Sequence, residues 1–237
     1  MSDIASAIDF YSTIALFVII GIFGVLVGVF VWGRRYNKML INRFGAILKT
    51  ELGKKYEKSK MQIFRTSGFV INLLTTKSDV QLRDWKIELY LINRENLIHH
   101  IISRFRPNYD MLLTKASFIS RPKLQLEIIN SASKKITKED EMVLKDLKKV
   151  ETSKMNKKYI VKASEPDRVE GLFQDGEFMK MMNKLGDDFV RITITDNPPH
   201  LWFSSRAKES TLITHVRLVE RVGNYFKPMR RKPKILE

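Results

Sequence analysis

From Thr13 to Trp32 the chain reads TIALFVIIGIFGVLVGVFVW, 20 residues without a charge, an Asn, a Gln or a Pro. A helix of that length rises roughly 30 Å, the thickness of a bilayer's hydrocarbon core. The pattern predicts a transmembrane helix over 13–32, preceded by a short extracytoplasmic N-terminus, 1–12. It favours a span over a buried core helix because Trp32 is followed at once by Gly33, Arg34 and Arg35, the aromatic and basic boundary of a membrane segment. The period then changes. Met39, Leu40, Phe44, Ile47, Leu48 and Leu52 recur at three- and four-residue spacing among Lys and Arg, which predicts a basic amphipathic juxtamembrane helix over 33–60.

Alternation takes over in 61–130, a first α+β subdomain. In WKIELYLI, Trp85, Ile87, Leu89 and Leu91 alternate with Lys86, Glu88, Tyr90 and Ile92, and KLQLEII sets Leu124, Leu126 and Ile128 against Gln125 and Glu127. Both read as half-buried strands. Residues 61–75 fit helix or strand, Asn93 to Phe105 a short helix or turn, and Arg104 to Asp110 a loop around Pro107. The polar segment 131–158 is expected to be a solvated helix or linker.

A second α+β subdomain follows over 159–226. YIVK predicts a strand, and Ser164, Pro166 and Asp167 predict a capped helix start. The helical run 166–185 breaks near Gln174-Asp175-Gly176 and ends at Gly186. FVRITIT and HLWFSS make a hairpin around Asp196-Asn197-Pro198-Pro199. Leu212, Val216, Val219 and Val222 sit at helical spacing, although ITHVRLVERV also reads as a strand. The fold class expected is α+β: one N-terminal transmembrane helix, then a cytosolic domain with a mainly antiparallel sheet and flanking helices.

Charge adds a direction. The formal net charge is +16. Residues 1–33 carry only Asp3 and Asp9, whereas 34–60 carry nine basic residues against Glu51 and Glu57. Positive charge beside a span stays on the cytoplasmic side, so the expected localisation is single-pass, with the N-terminus outside and the C-terminal domain cytoplasmic. The n-region lacks Lys and Arg and no small-x-small site follows the apolar run, so an anchor rather than a cleaved signal peptide is expected. A second basic cluster, Lys227, Arg230, Arg231, Lys232 and Lys234, lies in the tail 227–237. Its two prolines exclude a regular helix there. Such a tail binds phosphates or simply keeps the end solvated, and Tyr225 and Phe226 beside it either stack on a ligand or close the core.

Little in the sequence asks for catalysis. There is no Cys, so disulfides and thiolate sites are excluded. His99, His100, His200 and His215 lack the spacing of a metal site, and no Gly-rich phosphate loop or nucleophile elbow occurs. The acidic groups Asp187-Asp188 and Glu139-Asp140-Glu141 lie in polar surroundings that predict solvated carboxylates. We therefore expect no catalytic residue, cofactor or metal. Gly24 and Gly28 form a GxxxG pair on one face of the span, the spacing that lets a second helix approach and a homo-oligomer form.

The stretch YIVKASEPDRVEGLFQDGEFMKMMNKLG followed by FVRITIT resembles the strand, helix and strand near the end of the cytosolic domain in the calumin family of single-pass translocon-associated membrane proteins. The resemblance covers about a quarter of the chain and implies domain layout and a translocon or ribosome setting. It does not extend to a long acidic lumenal region or a C-terminal coiled coil, which this chain lacks. The function expected is a non-enzymatic membrane-anchored adaptor that binds a protein or ribonucleoprotein partner through Arg34, Arg35, Lys54, Lys55, Arg230, Arg231 and Lys232. The alternative is a protein that binds anionic lipid through its juxtamembrane helix.

Overall fold

The computed structural model describes residues 2–53, 56, 58–74, 82–97, 99, 109–133, 136–152 and 158–226. Its first element, α1 (Ser2–Gly53), is one unbroken helix. Among its described side chains, nearly all those from Tyr11 to Trp32 project free of the rest of the protein. Its best 18-residue window has a mean hydropathy of 3.1 and none of it is buried, so it is long and apolar enough to cross a membrane. The second half of the same helix changes partner. Ile41, Phe44, Leu48 and Leu52 are buried, with Leu40 and Ile47 packed at the margin and Met39 exposed.

What they are buried against is one antiparallel sheet of nine strands, in the order β1-β2-β3-β4-β9-β8-β5-β7-β6. The strands are β1 (Lys58–Phe64), β2 (Gly68–Leu74), β3 (Leu82–Tyr90), β4 (Met111–Phe118), β5 (Leu126–Asn130), β6 (Lys148–Lys149), β7 (Tyr159–Ala163), β8 (Phe189–Ile194) and β9 (Leu201–Arg206). Of the stretch 61–75, residues 61–74 therefore form most of a hairpin, β1 and β2, and Thr75 lies outside the described residues. It turns tightly at Gly68, whose φ of +141° and 1.8 Å clearance between an added Cβ and the Leu89 carbonyl oxygen admit only glycine. The expected strands WKIELYLI, YIVK and FVRITIT overlap β3, β7 and β8, KLQLEII joins β5 only from Leu126 onward and is buried there on both faces rather than one, and HLWFSS pairs back as β9.

Alternation gives the sheet two different faces. Trp85, Ile87, Leu89, Leu112, Phe118, Leu126, Ile128, Ile192, Phe203 and their neighbours make the inner face. It is covered by the second half of α1 and by α3 (Asp167–Gln174), α4 (Gly176–Leu185) and α5 (Glu209–Tyr225). ITHVRLVERV is thus helical, because its valines and leucines close on the sheet every three or four residues. Among the described residues, the helix on the outer face is the short α2 (Lys138–Lys145).

One local expectation is corrected. Ser164 does not cap α3; its hydroxyl accepts from the Gln125 amide, and Pro166 occupies the cap without a side-chain bond. The cap that forms is Asp175, which accepts from the amides of Glu177 and Phe178 and separates α3 from α4. The segment 131–158, expected to be a solvated helix or linker, contributes α2, β6 and the buried Leu144, Leu147 and Val150. The sheet runs through both stretches that the sequence separates: β4 of 61–130 pairs with β9 of 159–226, and β5 lies between β7 and β8.

Candidate functional site

Where α1 leaves its free apolar half and enters the core, a small polar cluster locks it to the sheet. Gly33 faces the backbone of Arg94, just beyond β3, so closely that an added Cβ would stand 2.2 Å from the Arg94 carbonyl oxygen. One turn later Asn37, 1% exposed, donates from Nδ2 to the carbonyls of Thr66 and Ile92, both at 3.0 Å. Its Oδ1 accepts from Arg94 Nη1 at 2.8 Å. Arg94 in turn holds Asp110 with two nitrogens, at 3.0 and 2.7 Å, and Asp110 Oδ1 accepts from the Ile92 amide. The Arg94 guanidinium lies over the Tyr36 ring, which stacks on Trp32 at 5.5 Å. Asn37 thus uses both donors and its oxygen, and the hairpin tip, the end of β3 and the start of β4 are all tied to one turn of α1.

The outer face of the sheet holds two further ionic groups. Glu88, 2% exposed, meets Lys86 at 2.8 Å, Lys115 at 3.2 Å and the Tyr90 hydroxyl at 2.7 Å. Burial pushes its carboxyl upward, but the donors Lys86, Tyr90 and Lys115 outweigh that and hold it below the usual carboxylate range. The same bond, with burial, raises the Tyr90 phenol to about 12. Lys115 also sits 4.6 Å from the centre of the Trp202 ring. On the other side of Trp202, Arg191 joins the buried Glu127 and Asp140, with Thr193 bridging to Glu127 at 2.8 Å. Asp140 is therefore not the solvated carboxylate expected, since it docks α2 on the sheet. Asp188 is also buried and pairs with Lys208, whereas Asp187 is exposed and paired with Lys158.

Two of the histidines, His200 and His215, are buried in the fold. His215 is fully enclosed, stacked on Phe203 at 3.9 Å, with Nδ1 2.7 Å from Ser205 Oγ and Nε2 2.8 Å from Thr114 Oγ1. Burial lowers its pKa to about 3. A Ser and His at hydrogen-bonding distance invite comparison with a hydrolytic pair, but Thr114 stands where a carboxylate would and all three side chains are buried. His200 accepts from the Phe118 amide at Nδ1, which places its proton on Nε2. His99 is exposed and His100 lies outside the described residues. Among the described residues no group of three or more His, Asp or Glu is placed to hold a metal.

Of the residues singled out for contact, Arg34 and Arg35 are exposed on α1 beside the clamp. Lys54, Lys55, Arg230, Arg231 and Lys232 lie outside the described residues. Gly24 and Gly28 have nothing within 4 Å of an added Cβ and leave an open helix face. Gly33, Asn37, Arg94 and Asp110 were not anticipated. The available signal was register: 33, 37, 41, 44, 48 and 52 fall on one helical stripe, so Asn37 stands on the face that becomes the core. The apolar side chains that make this helix amphipathic cover the sheet, and its basic face is the one left outward.

No family model matches the chain, and no curated protein matches it. Among solved structures it is similar in outline to the crystal structure of the mycobacterial trehalose monomycolate transport factor A, TtfA, with 6% sequence identity, 71% of each chain covered and a TM-score of 0.34. That likeness is too distant to carry an argument.

Proposed function

We propose that this protein is a non-enzymatic, single-pass membrane-anchored adaptor, with 13–32 spanning the bilayer, the N-terminus outside and the sheet domain in the cytoplasm. The domain binds a protein or ribonucleoprotein partner of the translocon and ribosome setting, drawn by the basic residues Arg34, Arg35, Lys54, Lys55, Arg230, Arg231 and Lys232. The observation that supports this reading is the clamp at Gly33 and Asn37. An apolar helix that continues directly into a domain's core holds that domain at a fixed height and rotation, which suits presenting a docking surface. Gly24 and Gly28 offer the face for self-association within the bilayer.

The test is purification of the full-length protein in mild detergent from its native membrane, at low and high salt, with and without nuclease. Macromolecular partners that co-purify at low salt and leave at high salt are the expected result. Reversing Arg34 and Arg35 to Glu together with Arg230, Arg231 and Lys232 should abolish their recovery. Unchanged recovery in that variant would refute the electrostatic docking.

A further inference from the structure

The connection leaving β3 runs back along α1. Asn93, Glu95, Asn96 and Leu97 line a crevice of about 500 Å³ together with Leu26 and Phe30 of the helix. Those two residues precede Gly33, where Arg94 crosses the helix, by seven and three positions. At 1.5 Å per residue the connection therefore reaches roughly 5 to 10 Å past the clamp, alongside the free apolar half of α1. Its polar groups are partly satisfied within the segment: Asn93 Oδ1 accepts from the Glu95 amide and Asn96 Oδ1 from the His99 amide, as backbone near a hydrocarbon phase requires. Glu95 Oε1 is shielded and has no hydrogen-bond partner among the described residues. At the level of the clamp, Trp32 stacks on Tyr36, and Arg34, Arg35, Lys38 and Arg65 are exposed. Aromatic rings and cations gathered at one height match the interface of an anionic bilayer.

We propose that Asn93–Leu97 is a second membrane contact of the domain. It is seated in the cytoplasmic interface of the bilayer against Leu26 and Phe30, with acyl chains over Leu97 and anionic headgroups on Lys38 and Arg65. This rests on 13–32 being a span. The helix fixes the domain's height, and this contact fixes which side of the domain faces the lipid.

Because the chain has no cysteine, single nitroxide labels test both points. Leu97→Cys, Val27→Cys as the in-span reference away from the crevice and Lys180→Cys at an exposed position of α4 are each labelled in full-length protein. They are reconstituted in nanodiscs of phosphatidylcholine with phosphatidylserine, and accessibility to oxygen and to a water-soluble nickel chelate is measured. The expected result is an oxygen-to-nickel ratio at 97 close to that at 27 and several-fold above that at 180. A label at 97 that behaves as at 180 while 27 is lipid-immersed overturns the second contact and leaves the span standing. A label at 27 that is itself aqueous overturns the span, and the second contact with it.

Discussion

His215 shows how much a single enclosed side chain costs in acid. Its neutral ring satisfies Ser205 and Thr114 at once, and burial holds its pKa at about 3 against 6.5 when free. The folded state therefore binds the proton less readily than the unfolded chain. The associated stability is fully present above pH 6.5 and is lost progressively as pH falls toward 3. Between pH 7.5 and 5 the loss from this group should be about 2 kcal/mol, since each unit below 6.5 costs about 1.4 kcal/mol. Urea midpoints of the full chain in detergent, measured at both pH values for the native protein and for His215→Gln, test this. The variant should lose that share of the pH dependence, and an identical dependence in both would refute the assignment. The sequence offered His215 only as a histidine without metal spacing. Its partners sit on β4 and β9, far away along the chain, so no local pattern could reveal them. The same holds for the Arg191, Glu127 and Asp140 group, whose members come from three elements brought together by the sheet and α2.

Helix α1 was legible in its two periods, apolar throughout and then amphipathic, and the continuity between them was anticipated. What the amphipathic half packs against stood open between anionic lipid and the soluble domain. An apolar stripe reports that a face is buried, and either lipid or a sheet satisfies that pattern. The polar Asn37 within the stripe is the residue that decides it, because its three hydrogen bonds need backbone and guanidinium partners at fixed positions. Asn37→Ala should therefore cost about 2–4 kcal/mol, the sum of buried carbonyls left without donors and an Arg94 left with one partner fewer. Hydrogen exchange should quicken at Ile92 and in the hairpin around Thr66, with little change at Ile192 in β8. Uniform protection across these sites would show that the clamp does not couple the helix to them. Where two local rules competed the outcome differed: Ser164 had a cap to form but gave its hydroxyl to the Gln125 amide instead. ITHVRLVERV had β-branched residues suited to a strand, but its period of three to four matched the groove left on the sheet.

Across the whole molecule, β3, β5, β7, β8 and β9 were readable one by one, β1 and β2 fitted helix as well as strand, β4 and β6 had no pattern of their own that was read, and the order of the strands was not legible. Placing β5 between β7 and β8, and β9 between β4 and β8, makes each half of the domain supply neighbours to the other, and the polar composition of 131–158 concealed that interleaving. The domain should accordingly unfold in one transition. Tryptophan fluorescence, to which the enclosed Trp85 contributes, and far-ultraviolet circular dichroism in the pH 7.5 urea series should give coincident curves. Two resolved steps would mean that the halves are separable after all. With the apolar half of α1 embedded as proposed, the clamp at Gly33 and Asn37 turns the helix into a lever. From the middle of the span near residue 22 to Gly53 the arm is roughly 45 Å long. A 10° change of tilt, well within what bilayer thickness imposes on such helices, would swing its cytoplasmic end by about 8 Å. With no swivel between shaft and domain, a change in membrane thickness becomes a displacement of everything the domain carries.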